Sequence, residues 1–274
     1  MPPTINNLGL QKQLFILARK ETYRERYTNK LIQAGEAPVK KERTERIPVD
    51  AAIQQTYLDG KVVLINKPLH WTSFDVVRKM RSLIQIKKIG HAGTLDPLAT
   101  GLLIVCTGKF TKKINEYMAQ EKEYTGSITL GAVTPTYDLE SEPEQQKDFS
   151  AITNDMLQSA TKNFVGDIEQ LPPMFSAIKK DGVALYELAR RGEEVELKPR
   201  SINIKLFEIT EISLPVIRFK VICSTGTYIR SLANDYGATL GCGGYLSSLC
   251  RTRIGEFKNE NAIDMEEFER QLNL

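Results

Sequence analysis

EYTGSITLG, residues 123–131, alternates in character: Tyr124, Ile128 and Leu130 fall on one face, and Thr125, Ser127 and Thr129 on the other. A period of two predicts a strand with one face in a core and one face outside it. IRFKVICS (217–224) alternates in the same way. Half-buried strands of this kind pair antiparallel, whereas strands of a doubly wound parallel sheet read as unbroken apolar runs. KVVLIN (61–66) and GLLIVCTG (101–108) are such short apolar runs. Between the strands, TSFDVVRKMRSLI (72–84) predicts a helix capped by Thr72 or Ser73, with Phe74, Val77, Met80 and Ile84 on its apolar side. Residues 150–164 read as another helix. GTYIRSLANDYG (226–237) reads as a third, with Gly237 as its stop. No regular strand–helix–strand rhythm links these elements, so the expected class is α+β, with a mixed, largely antiparallel sheet flanked by helices and loops.

The 274 residues suffice for one large domain. Leu10, Leu14 and Leu17, then Tyr23, Tyr27 and Leu31, recur at helical spacing, and GEAPVKKERTERIPVD (35–50) reads as a polar linker. Residues 1–56 are therefore expected to form an appended helical and linker extension, and 57–274 the main domain. No apolar run approaches 18 residues, and the N-terminus lacks the layout of a secretion signal. Cys106, Cys223, Cys242 and Cys250 form no CxxC pair, and scattered free thiols suit a reducing cytoplasm. The net charge of +3 hides an uneven distribution: Lys and Arg exceed Asp and Glu by four over residues 1–50 and by seven over 61–122. The balancing acid lies in YDLESEPEQQKD (137–148) and near the C-terminus. A basic stretch in a nearly neutral chain fits either a polyanion-binding face or a set of solvated lysines.

Chemistry concentrates in GHAGTLDPLATG (90–101), where three glycines, His91 and an Asp-Pro step crowd into twelve positions. Asp96 either caps the next element or is held out towards a substrate. TGKFTK (107–112) fails the spacing of a phosphate loop, and GCGGYL (241–246) lacks the third glycine of a dinucleotide fingerprint. Two histidines without a carboxylate at ligand spacing suggest no metal centre, and no GxSxG elbow occurs.

GHAGTLDPLATGLLIVCTGKFTKKI (90–114) resembles the signature of the TruB family of bacterial pseudouridine synthases, which modify the T-loop uridine of tRNA. NKPLHWTS (66–73), LPPMFSAIKKDGVALYELARRGEEVELKPR (171–200), CSTGTYIRSLANDYG (223–237) and LSSLCRTRIGEF (246–257) resemble further blocks of that family in the same order. The resemblance spans about residues 61 to 257. It implies the pseudouridine synthase fold with an RNA-gripping thumb insertion at 171–200, and no complete C-terminal PUA domain. It also implies a cofactor-free isomerase acting on tRNA uridine 55. Asp96 matches the nucleophile, Arg230 the arginine that pairs with it, and Tyr124 the aromatic that stacks on the flipped base. Tyr228 and Leu249 match residues that line the pocket, although Leu249 fits a plain core role equally well. His91 matches the plug that fills the space the base vacates. Lys67 and Pro68 match a motif bracing the pocket floor, with Lys67 counted among the substrate-binding positions. Lys179, Arg190 and Arg191 in the thumb match phosphate-gripping positions. The partner implied is the T-arm stem-loop of tRNA, with no membrane and no obligate protein partner.

Overall fold

The computed structural model describes residues 49–272 apart from Ala177, Asp181 and Glu194, together with all but the side chains of Lys179, Lys180, Ala184 and Arg190. The helices expected from Leu10 to Leu31 lie outside the described residues. Chain order begins with α1 (Ala51–Asp59), β1 (Val62–Lys67), α2 (Ser73–Ile84), β2 (Ile89–His91) and β3 (Ala99–Thr107). Then come α3 (Ile114–Ala119), β4 (Lys122–Leu130), α4 (Asn154–Thr161) and β5 (Gly166–Gln170). Residues 171–200 carry the short pair β6 (Lys179–Lys180) and β7 (Val183–Ala184), then α5 (Leu185–Arg190). Finally come β8 (Arg200–Ser213), β9 (Val216–Cys223), α6 (Ile229–Thr239), β10 (Gly244–Ile254), β11 (Phe257–Lys258) and α7 (Met265–Arg270).

One sheet runs in the order β1-β3-β10-β4-β9-β8-β5, with β2 added beside β3 and β11 beside β10. Its pairings are antiparallel except β10 with β3, where Leu249 faces Ala99 and Arg251 faces Gly101. The class is thus α+β, as the alternating strands predict. On β4 the buried set includes Tyr124, Ile128 and Leu130, and on β9 it is Ile217, Phe219, Val221 and Cys223. Those faces form one core with Leu232, Ala233 and Tyr236 of α6 and Phe207 of β8. A second core packs Val76, Val77, Met80 and Ile84 of α2 against Leu103 and Val105 of β3. β3 is covered on both faces, which is why its sequence shows no alternation.

Two local expectations change. Thr72 caps α2 in a reciprocal capping box with Asp75, but Phe74 points outward at 58% exposure while Val76 takes a core place. Val77, Met80 and Ile84 keep their expected buried places. Gly237 does not end α6, which continues to Thr239. Its missing side chain lets β10 approach instead: a Cβ there would stand 2.2 Å from the Gly244 nitrogen. α1 spans the expected 56/57 boundary, with Tyr57 buried edge-on against Phe268 of α7. No helix among the described residues is long and apolar enough to cross a membrane.

Candidate active site

The turn between β2 and β3 is fastened by its backbone. Ser73 at the start of α2 accepts from the Leu95 amide at 2.8 Å and donates to the Leu95 carbonyl at 3.3 Å. The His70 amide donates to the Pro97 carbonyl at 2.8 Å. From the other side Arg251, almost wholly buried, donates to the carbonyls of Leu102 (2.8 Å), Gly93 (3.2 Å) and Thr94 (3.4 Å). A guanidinium presents five donors in a fixed fork, so one side chain ties two carbonyls of the turn to a third on β3.

Between these fastenings the Asp96 side chain is left in the open. It accepts from no backbone amide among the described residues, so it is not a cap. Its side chain is 37% exposed and lines a cleft of about 900 Å³. Arg230, buried in the first turn of α6, grips it with Nε 2.9 Å from one carboxylate oxygen and an Nη 3.3 Å from the other. The same guanidinium reaches Asp138 at 3.6 Å and donates to the carbonyls of Thr136 (3.3 Å) and Phe175 (2.9 Å). Burial opposes the charge on Arg230, but Asp96, Asp138 and Glu140 outweigh it and raise its pKa. Burial pushes the Asp138 carboxyl up, and Arg230 counters that. The site therefore holds two carboxylates around one permanent cation, one carboxylate facing the cleft and the other sealed.

The cleft wall brings together Tyr124, Tyr228, Leu249 and Arg251 with Asp96 and Arg230. Burial raises the Tyr124 phenol above its ordinary pKa of 10.0, with Arg251 opposing. The ring thus stays neutral and offers an apolar flat face. Tyr228 is pinned at the start of α6, its amide donating to Gln170 and its carbonyl accepting from the same carboxamide.

Two expected residues stand elsewhere. Lys67, expected among the substrate-binding positions, is not among the residues that line the cleft: it is fully buried, its ammonium donating to the carbonyls of Pro68 (2.9 Å) and Trp71 (2.5 Å). A buried ammonium needs acceptors, and these two come from the turn that leads into α2, so Lys67 braces that turn. His91 sits on β2 outside the cleft lining, with Nδ1 buried and unpartnered. Burial lowers its pKa from 6.5, so the ring is neutral at pH 7. After α5, Arg191 is exposed, with Glu193 3.9 Å away. The side chains of Lys179 and Arg190 lie outside the described part. Sequence reasoning missed Asp138, Arg251 and Ser73. Asp138 lies in an acidic run that reads as solvated surface, and no local pattern marks the other two.

An aromatic-walled cleft beside a carboxylate clamped by a buried guanidinium can take a flat ligand. Comparisons with known proteins give the family. The model of the TruB family pseudouridylate synthase N-terminal domain matches residues 81–229, and that of the tRNA pseudouridylate synthase B C-terminal domain matches 230–274. The tRNA pseudouridine synthase B of Flavobacterium johnsoniae is 54% identical over 225 residues, covering 80% of this chain and 98% of that protein. Its namesake in Bacteroides fragilis is 49% identical over 220 residues, covering 77% and 94%. Among solved structures, a chain of a Cbf5-Nop10-Gar1 complex aligns with a TM-score of 0.63 and 28% identity, over 84% of this chain and 61% of that one. A chain of an H/ACA RNP bound to a substrate RNA containing 2′-deoxyuridine gives 0.60 and 26%, over 85% and 61%. This chain thus spans about three-fifths of those solved chains. It belongs to the TruB family of pseudouridylate synthases, and as a member it is an isomerase.

Proposed function

We propose that this protein converts uridine 55 in the T-loop of tRNA to pseudouridine in the cytoplasm, without a cofactor, with Asp96 as the nucleophile. The observation that carries this reading is the two-point grip of Arg230 on Asp96 at the mouth of the cleft. The near full-length similarity to curated tRNA pseudouridine synthases supports tRNA as the substrate.

The reaction breaks the C1′–N1 bond, turns the uracil and joins C1′ to C5. The proton on C5 is lost and N1 gains one, so atoms and electrons balance without an oxidant or reductant. Asp96 attacks either C1′ or C6, which holds one fragment while the other turns. A nucleophilic carboxylate must stay ionised as the ligand displaces water, and Arg230 opposes the desolvation that would protonate it. Tyr124 stacks on the extruded base, Tyr228 and Leu249 close the wall, and the apolar lining keeps water from the intermediate. Flipping the base costs a few kcal/mol, which stacking and polar contacts repay. His91, neutral and planar, fills the gap left in the loop. Lys179, Arg190 and Arg191 of the 171–200 thumb grip phosphates, and the folded T-arm is read by shape. On this reading residues 57–274 are the catalytic domain and 1–56 an extension to it.

Incubation with a T-arm stem-loop carrying 5-fluorouridine yields a rearranged product or an adduct at Asp96. Asp96→Asn is expected to bind the same RNA as tightly as wild type and to form no pseudouridine. Turnover retained in that variant removes Asp96 from the chemistry.

A further inference from the structure

A second part of the cleft is lined by groups that the uracil chemistry leaves unused. Arg200, at the start of β8, lies on this wall with its side chain exposed. Among the described residues no carboxylate stands within 4 Å of its guanidinium. Beside it the loop Thr225–Thr227 lines the same cleft between β9 and α6. The amides of Thr225, Gly226 and Thr227 donate to no acceptor among the described residues. Gly226 has φ +87°, and the space where its Cβ would stand is empty. The loop is nevertheless anchored. Ser224 is tied to Asn203 of β8 by its amide (2.8 Å) and its hydroxyl (2.9 Å), and the Thr227 hydroxyl closes the turn on the Ser224 carbonyl at 3.0 Å.

Successive free amides around a left-handed residue form a concavity that suits an anion. An exposed guanidinium, that of Arg200, lines the same cleft, and the Thr225 hydroxyl adds another donor. Free amides together with a guanidinium select a group that only accepts, and in RNA that group is the phosphodiester. Position identifies which phosphate. Gly226 lies four residues before Arg230, at most about 14 Å along the chain, and Arg230 holds Asp96. An anion at the loop is therefore within a nucleotide or two of a base lying over Asp96. Volume agrees, since about 900 Å³ sits near the upper end of small-molecule sites.

We infer that Arg200 and the amides of Thr225–Thr227 form a subsite for a backbone phosphate adjoining the target uridine, setting how the extruded nucleotide is seated. The inference rests on the proposed RNA substrate, and the test keeps the two apart. Wild type and Arg200→Gln are compared in single-turnover assays on the T-arm stem-loop, with unmodified RNA and with RNA bearing one neutral methylphosphonate immediately 5′ or 3′ of the uridine. Arg200→Gln is expected to weaken binding about tenfold while the rate at saturation stays within about twofold, and to lower the slope of log affinity against log salt by about one. One of the two methylphosphonates is expected to cost wild type a similar factor and to cost Arg200→Gln nothing more. Full additional losses in the variant at both positions, or a variant that binds like wild type, overturn the subsite. Failure of wild type to convert the unmodified stem-loop overturns the proposed function instead.

Discussion

Replacing Arg230 by methionine removes the positive charge that two carboxylates share, and the structure says that the two respond differently. Asp138 is 3% exposed and keeps the Glu140 amide and the Thr136 hydroxyl, but no charge, beside its carboxylate once the guanidinium is gone. Leaving a buried ion without its partner costs about 3–5 kcal/mol. At roughly 2–4 °C per kcal/mol for a domain of this size, Arg230→Met should melt about 10 °C below wild type. Asp96, with its side chain over a third exposed, can turn to water, so Asp96→Asn should change stability by less than about 1 kcal/mol. The informative protein is the double variant Arg230→Met with Asp138→Asn, in which neither member of the sealed pair is charged. Its melting temperature should return most of the way to wild type, while pseudouridine formation stays at background in all three variants. The measurements are calorimetry on the whole chain and release of tritium from 5-tritiated uridine in RNA. If Arg230→Met melts like wild type, or if Asp138→Asn fails to rescue it, the sealed ion pair is not what holds this end of α6.

Two further outcomes follow from packing and from titration. Gly237→Ala replaces a poor helix former by the best one, a gain of about 1 kcal/mol in an open helix. Here it puts a carbon 2.2 Å from the Gly244 nitrogen, so α6 and β10 must part, and thermal denaturation should show a net loss above about 2 kcal/mol. Lys67 has its pKa lowered to about 8 by burial, with Asp96 opposing and Arg251 adding to the effect. The unfolded chain, near 10.5, binds the extra proton between those two values, so this group's cost is fully present below pH 8 and fades as pH rises to 10.5. Wild type should therefore gain stability relative to Lys67→Met across that window in urea titrations. The buried thiols and phenols are common to both proteins and cancel in the comparison; a gap that stays constant with pH would show that folding leaves the Lys67 pKa unshifted.

What the sequence reveals and conceals here follows from the range of each interaction. The alternation in 123–131 and 217–224 is local, so the antiparallel character of the sheet is readable from single strands. The parallel contact of β10 with β3 joins residues about 150 apart, and no local pattern announces it. The same holds within the site. Asp96 stands out because its turn is crowded with glycine and proline, yet the geometry that makes it useful comes from elsewhere: Ser73 on α2, Arg251 on β10 and Arg230 on α6. Gly237 is the sharpest case. A glycine twelve residues into a helical pattern has the local look of a stop, and its real constraint is the backbone of Gly244, seven residues on but across an interface. Asp138 was hidden for the opposite reason: in an acidic run any carboxylate looks solvated, and only the burial of Arg230 shows that this one is not. The cation decides both carboxylates. It keeps Asp138 tolerable inside the core, and that buried anion in turn restrains the guanidinium that Asp96 meets at the cleft. On the proposed reading stability and reactivity at this site share one side chain, and the double variant is the experiment that separates them.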